Sequence, residues 1–420
     1  MLFGKLLPPI LQGISELYHP HYPVTYRLVF LFLAFMPESI IPFRYIRSFD
    51  EMIASIDAIK AFDVVGLDVE FDRDRHAHGF TLCLIQVYAG QTAWLFDPFS
   101  LQNLDPLYRL LENNAQIKVM HAPGEDLQLL KLHSCRPLNI FDSERSARLL
   151  NFSSFSLSSL LSQVLGVEIS KSQQKSNWTH SPLSEAQLRY AAADVAWLPA
   201  LRSSLLNLAS DSGILAWLEE ENMAWDEELP EIRPDGIFYN KDEEKKIPPF
   251  QLYIYNALLA VRDKYASELN KPGYQVIDKH LLTDIAFEEV LLNNWLNSPG
   301  IHPRLKRREV EEELRAAHRQ ASEIAKGQGL LKYKPESRIG FEAREAQKRE
   351  KEALKAKAEQ EWRPLWAELS KQFGEYAASY MFSDKTLTGL ASGELVPDEL
   401  PFAYRRNLAQ THLNKLKSGK

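Results

Sequence analysis

Two acids sit where an apolar strand leaves little room for charge. Residues 64–71 read Val-Val-Gly-Leu-Asp-Val-Glu-Phe, so Asp68 and Glu70 interrupt a run of β-branched and bulky apolar side chains. A strand has a side-chain period of two, and both carboxylates therefore project from one face. Holding two anions side by side away from water is costly unless a cation lies between them. Every donor on offer is an oxygen, which suits Mg²⁺ or Mn²⁺ rather than zinc. Alone, such a short pattern recurs by chance and describes a strand end whose acids meet water. Two further stretches shift that balance. Asp126 falls in the first turn of a helix after His121-Ala122-Pro123-Gly124, and Tyr190 and Asp194 lie four apart on one helix face. Ala191, Ala192 and Ala193 between them would let that helix lie close to a sheet.

Alternating strands and helices must position these side chains. Beyond the Asp68 strand, the pattern predicts strands over 81–88 and 92–96, joined at Ala89-Gly90-Gln91 as antiparallel neighbours. A helix over 104–113, a strand over 117–121, a helix over 125–132, a short strand over 138–141 and a helix over 143–150 follow. Helices are then expected over 157–165, 184–208 and 214–229, giving a mixed sheet covered by helices. Residues 230–249 hold four prolines and a mixed-charge run, which marks a linker. No convincing strand follows it. Short helices are expected over 252–269, 280–286, 288–295 and 306–325, and residues 338–361 read as a solvated connecting helix. A weak repeat, Asp278-Lys279-His280-Leu281 against Asp384-Lys385-Thr386-Leu387, suggests two related helical modules.

A chain of 420 residues accommodates two or three domains, and 25% charged residues are ordinary for a soluble protein. Residues 1–240 hold 18 Lys and Arg against 29 Asp and Glu, whereas residues 241–420 hold 31 against 27. An acidic first part fits a metal pocket, and a basic second part could hold a polyanion. Cys83 and Cys135 are the only cysteines, which excludes a disulfide framework and a zinc cluster and fits a reducing compartment. The apolar stretch 28–35 is too short to span a bilayer. Residues 1–40 are expected to be a disordered leader or an over-extended start, with Met36 a plausible natural beginning.

Three segments together resemble ribonuclease D: Gly66-Leu67-Asp68-Val69-Glu70-Phe71, His121-Ala122-Pro123-Gly124-Glu125-Asp126-Leu127, and the stretch from Pro182 to Val195. The resemblance extends over about residues 40–320. It implies an α/β fold, an RNase H-like mixed-sheet exonuclease domain followed by all-α helical modules of the helicase-and-RNase-D C-terminal (HRDC) type. The implied division is an exonuclease domain over 41–229, a linker over 230–249, an HRDC domain over 250–325, a charged connecting helix over 326–362 and a second HRDC-like module over 363–420. Two divalent ions, Mg²⁺ or Mn²⁺, are implied as cofactors. By the family pattern Asp68 bridges them, Glu70 and Asp194 hold the first, Asp126 supports the second, and Tyr190 orients the attacking water.

The expected activity is metal-dependent 3′–5′ exonucleolytic trimming of RNA 3′ ends, tRNA precursors among them, in the cytoplasm. No membrane and no obligate protein partner are expected. A Werner-type DNA exonuclease is the first alternative, because the same acids serve both polymers. A catalytically silent RNA-binding scaffold is the second. The chain departs from the family at Asn177 and Ser181, where relatives carry Asp and Arg, so a phosphate contact is in question and Lys171, Lys175 or His180 would have to replace it. His121 reads as a structural histidine near the site, and Cys83 as a core residue. The basic cluster Arg304-Leu305-Lys306-Arg307-Arg308 suits either phosphates or a solvated helix start.

Overall fold

A computed structural model describes residues 41–227, 236–332 and 341–418; the leader expected over 1–40 lies outside the described residues. Six strands form one sheet: β1 (Phe43–Ile46), β2 (Val64–Arg73), β3 (Phe80–Ala89), β4 (Thr92–Phe96), β5 (Ile117–Met120) and β6 (Ile140–Asp142), in the order β1-β4-β3-β2-β5-β6. The pairs β2–β3 and β3–β4 are antiparallel, and the outer pairs β1–β4, β2–β5 and β5–β6 are parallel. The predicted hairpin order therefore holds, and the Asp68 strand lies inside the sheet.

Helices cover both faces. On one, Val65, Leu67 and Val69 of β2 pack with Met52 and Ile56 of α1 (Phe49–Ile59) and with residues of α2 (Asp105–Leu111) and α3 (Gly124–Leu132). Ser48 caps α1 in a reciprocal capping box with Glu51. The other face receives α4 (Ser143–Leu149), α5 (Leu157–Leu165), α6 (Glu185–Ala196), α7 (Leu198–Asp211) and α8 (Leu215–Glu227). The single helix expected over 184–208 is two helices, α6 and α7, divided at Trp197 and Leu198-Pro199. Pro199 lacks a backbone N–H and suits the first turn of a new helix, so the break follows from its position.

The expected linker also carries structure: Asn240 caps α9 (Lys241–Lys246). The first helical module comprises α10 (Pro249–Leu269), α11 (Gly273–Val276), α12 (Lys279–Phe287), a 3₁₀ segment over Glu289–Asn297, and α13 (Arg308–Gly327) around its own core. The segment over 288–295 is thus a tighter 3₁₀ turn rather than an α-helix. Then come α14 (Phe341–Glu361), α15 (Arg363–Phe373), α16 (Glu375–Met381), α17 (Asp384–Ser392) and α18 (Ala403–Ser418). The repeated stretches form α12 and α17, with Asp278 as N-cap of the first and Ser383 of the second. The helix expected to be merely solvated buries Ala358 near its end, and the C-terminal helices share one hydrophobic core with the six-stranded sheet. Among the described residues no helix is long and apolar enough to cross a membrane.

Candidate active site

The face of β2 opposite Val65, Leu67 and Val69 carries Gly66, Asp68 and Glu70, and α6 lies directly on it. A Cβ at Gly66 would overlap the Val195 carbonyl oxygen, so only glycine lets the helix come this close. Ala191, Ala192 and Ala193 are almost fully buried at the same contact. A serine cap with a Gln187 capping box starts α6 at Ser184 and fixes its register. The consequence is that Asp194 reaches the strand acids. Ligand oxygens of Asp68, Glu70 and Asp194 all lie within 4.8 Å of one another.

Asp126 arrives from another direction. Ala122, in the left-handed region at φ 53°, donates its N–H to Asp142 Oδ1 at 3.0 Å, and the tight turn sends Asp126 inward from the first turn of α3. Asp126 is buried. It stands outside the cluster of mutually close oxygens, yet its charge raises the pKa of both Asp68 and Glu70.

These carboxyls are short of positive charge. Burial first, then Asp126, pushes Asp68 well above the ordinary carboxylate range. Burial does the same to Glu70, followed by Asp68, Asp194 and Asp126. Asp126 rises to about 8 through burial, Glu125 and Asp142. Tyr190 hydrogen-bonds Asp194, and burial together with the neighbouring acids drives its pKa far above that of a free phenol. Its ring tilts against Trp178 at 6.0 Å. A set of close carboxylate oxygens fits hard divalent ions, which supply opposing charge.

Asp68, Glu70 and Asp194, but not Asp126, line a cavity of about 570 Å³ whose wall also includes Arg73, Arg75, His121, Lys171, Gln174 and Trp178. Burial lowers His121 to about 4, and its Nδ1 lies 2.9 Å from Ser143 Oγ, so it is neutral and held in place. Of the residues considered as replacements for the family arginine, Lys171 lines the cavity. Ser181 does not; it donates to Asp97 Oδ2 at 2.7 Å, an acid that Arg47 also approaches at 3.4 Å. Asn177 accepts from the Thr179 N–H and hydroxyl in a local turn. Sequence reasoning missed Arg73 and Arg75, because a polar turn between two strands gives no sign of which way it folds.

A description of 3′–5′ exonucleases matches residues 43–209. That segment is similar to 3′–5′ exonucleases. Ribonuclease D of Desulfotalea psychrophila is 33% identical over 229 residues, which cover 53% of this chain and 61% of the relative. Ribonuclease D of Escherichia coli is 33% identical over 172 residues, covering 40% and 45%. The chain thus spans about three-fifths or less of these curated relatives. The solved Escherichia coli ribonuclease D shares the fold with TM-score 0.63 at 24% identity, over 90% of this chain and 99% of that one. The catalytic core of RRP6 from Trypanosoma brucei does so with TM-score 0.58 at 18% identity, over 69% and 82%. The exonuclease domain is therefore RNase H-like, with a helical C-terminal region. Divalent metals are the cofactors of this exonuclease family, in keeping with the donor set found here.

Proposed function

We propose that the protein is a cytoplasmic, metal-dependent 3′–5′ exoribonuclease that trims RNA 3′ ends, such as those of tRNA precursors, releasing nucleoside 5′-monophosphates. The observation that carries this reading is the convergence of Asp68, Glu70 and Asp194 on one point of an open cavity, with the Tyr190 hydroxyl bonded to Asp194. Asp68, Glu70 and Asp194 would hold one ion, and Asp126 would support the second. Such ions, when bound, stabilise charge on the attacking and leaving oxygens and make the attacking water acidic. Tyr190 keeps its proton, because its pKa lies far above neutrality, so it orients the water by hydrogen bonding rather than acting as a base. Neutral His121 and cationic Lys171 stand in the wall where substrate enters. The name ribonuclease D, borne by the matched relatives, favours RNA as the polymer. We read residues 250–325 and 363–420 as two HRDC-type modules that extend the nucleic-acid grip.

The test is digestion of 5′-labelled and 3′-labelled single-stranded RNA, with matched DNA, in Mg²⁺, Mn²⁺ or EDTA. A ladder shortening from the 3′ end of RNA, abolished by EDTA, is expected. Preference for DNA would overturn the ribonuclease assignment, and no hydrolysis with either metal would leave an RNA-binding scaffold.

A further inference from the structure

The loop joining β2 to β3 has two sides with different duties. Internally it is tied down: buried Asp72 accepts the N–H groups of Arg75, His76 and Ala77 at 3.1–3.2 Å, and Asp74 closes the turn onto Gly79 through bonds of 2.8 Å. Its outer side is fastened to the first helical module. His78 Nε2 lies 2.8 Å from Asp263 Oδ1, the His78 N–H donates to Asn270 Oδ1 at 3.4 Å, and Tyr274 Oη donates to the Arg75 carbonyl at 3.0 Å. Its inner side presents Arg73 and Arg75 to the cavity. Arg73 is already occupied, paired with Glu125 and lying over the Phe80 ring. The Arg75 guanidinium has no partner among the described residues, although four carboxylates line the same cavity. An exposed arginine at the mouth of a phosphodiester-cleaving site suits a backbone phosphate, which its fork can engage by two hydrogen bonds.

We propose that this loop is a substrate arm: Arg75 binds a phosphate of the RNA, and the first helical module, through Asp263 and Tyr274, holds the arm at the cavity mouth. The proposal rests on the exonuclease reading above. It gives the first module a role that needs no RNA contact of its own. Arg75 is then a binding residue, whereas His78, Asp263 and Tyr274 are positioning residues that act through it.

The experiment uses the full chain and a short single-stranded oligoribonucleotide, with kcat and KM measured over a range of KCl concentrations. Arg75→Gln is expected to raise KM roughly tenfold, the loss of one charge-assisted contact, with kcat within about twofold. Its log KM should depend less steeply on log salt, by about 0.7, the share of one phosphate on a single strand. Arg75→Lys should restore that slope, since the charge remains. Asp263→Asn and Tyr274→Phe should each raise KM by about threefold or more in the parent, yet add nothing in the Arg75→Gln background. An unchanged KM and slope in Arg75→Gln would overturn the arm. An equal effect of Asp263→Asn with and without Arg75 would overturn the positioning role. If the parent hydrolyses no RNA, the exonuclease reading fails instead. Anisotropy of a fluorescent oligoribonucleotide then still judges the arm, and unchanged affinity and salt slope in Arg75→Gln would overturn it.

Discussion

Two groups of carboxylates in this molecule are treated in opposite ways. Glu221 on α8 is 1% exposed and fully provided for: Tyr380 Oη donates to it at 2.8 Å, Tyr404 Oη at 2.5 Å and Arg405 Nη2 at 2.5 Å. All three donors come from the C-terminal helices, whose Phe373 and Tyr404 also pack against Trp217 of α8 at 5.2 and 4.8 Å. Among the described residues, no cation acts on Asp68, Glu70 or Asp126 as Arg405 does on Glu221, and burial and neighbouring acids raise the pKa of all three. A buried acid surrounded by protein donors is a joint. Buried acids left short of positive charge form a site for something that arrives. The contrast predicts opposite results when each is broken.

The largest effect belongs to the cluster. Asp194→Asn or Asp68→Asn should abolish hydrolysis, well beyond the roughly 10–100-fold typical of losing an outer partner of a metal ligand. Folding should survive, since each change removes one of several repelling charges. Near-parental turnover at saturating Mn²⁺ in either variant would contradict the metal assignment. Tyr190→Phe sharpens the same point. It removes one orienting hydroxyl and should cost roughly 10²–10⁴ in single-turnover rate while RNA binding stays intact. A rate within a few-fold of the parent would make Tyr190 a packing residue on Trp178.

Glu221→Ala should do the reverse. It leaves Arg405, with a side chain 12% exposed, in a buried setting without its counter-charge, a loss of about 3–5 kcal/mol. Denaturant unfolding would show it, while kcat per folded molecule should hold. A loss below about 1 kcal/mol would mean the junction is a surface ion pair in effect. Gly374 guards the same junction: at φ 94° it lies against the Asn151 amide, whose Oδ1 accepts the N–H groups of Tyr376 and Ala377.

These regions also differ in how much of each could be read from the chain. Asp68 and Glu70 stood out because charge inside an apolar strand contradicts its surroundings, and the alanine run beside Asp194 announced a close helix. Both signals are local. Glu221 ends a run of three glutamates, Glu219-Glu220-Glu221, that reads as a solvated face. Its partners lie 159 to 184 residues away, and no local pattern encodes such a pairing. Arg75 was hidden for the same reason, since the Tyr274 and Asp263 that flank its loop belong to a module some 190 residues on. The break at Trp197 was visible in Leu198-Pro199 but was outweighed by unbroken helical periodicity.

The contrast extends to metal and pH. Burial, with Glu125 and Asp142, pushes Asp126 up to about 8 in the fold, against about 4 for an unfolded Asp. Between those values the folded protein binds more protons than the unfolded chain, so without metal its stability should fall as pH rises. Below about pH 4 both states are protonated and the penalty vanishes; it is complete above about pH 8. Each proton contributes up to about 1.4 kcal/mol per pH unit across that window. Asp68 and Glu70 shift in the same direction and add to the trend. A divalent ion reverses the sign, because it binds the ionised carboxylates and stabilises the fold by about 2.7 kcal/mol at a hundred times its Kd. Melting temperatures in EDTA should therefore decline from pH 5.5 to pH 8, and Mg²⁺ should flatten or invert that decline. Asp126→Asn should make the decline in EDTA shallower, whereas Glu221→Gln should lower every value and leave the slope unchanged. A parent protein whose melting temperature in EDTA is constant or rises over this range would show that the cluster is satisfied from within, and the distinction between joint and site would fall.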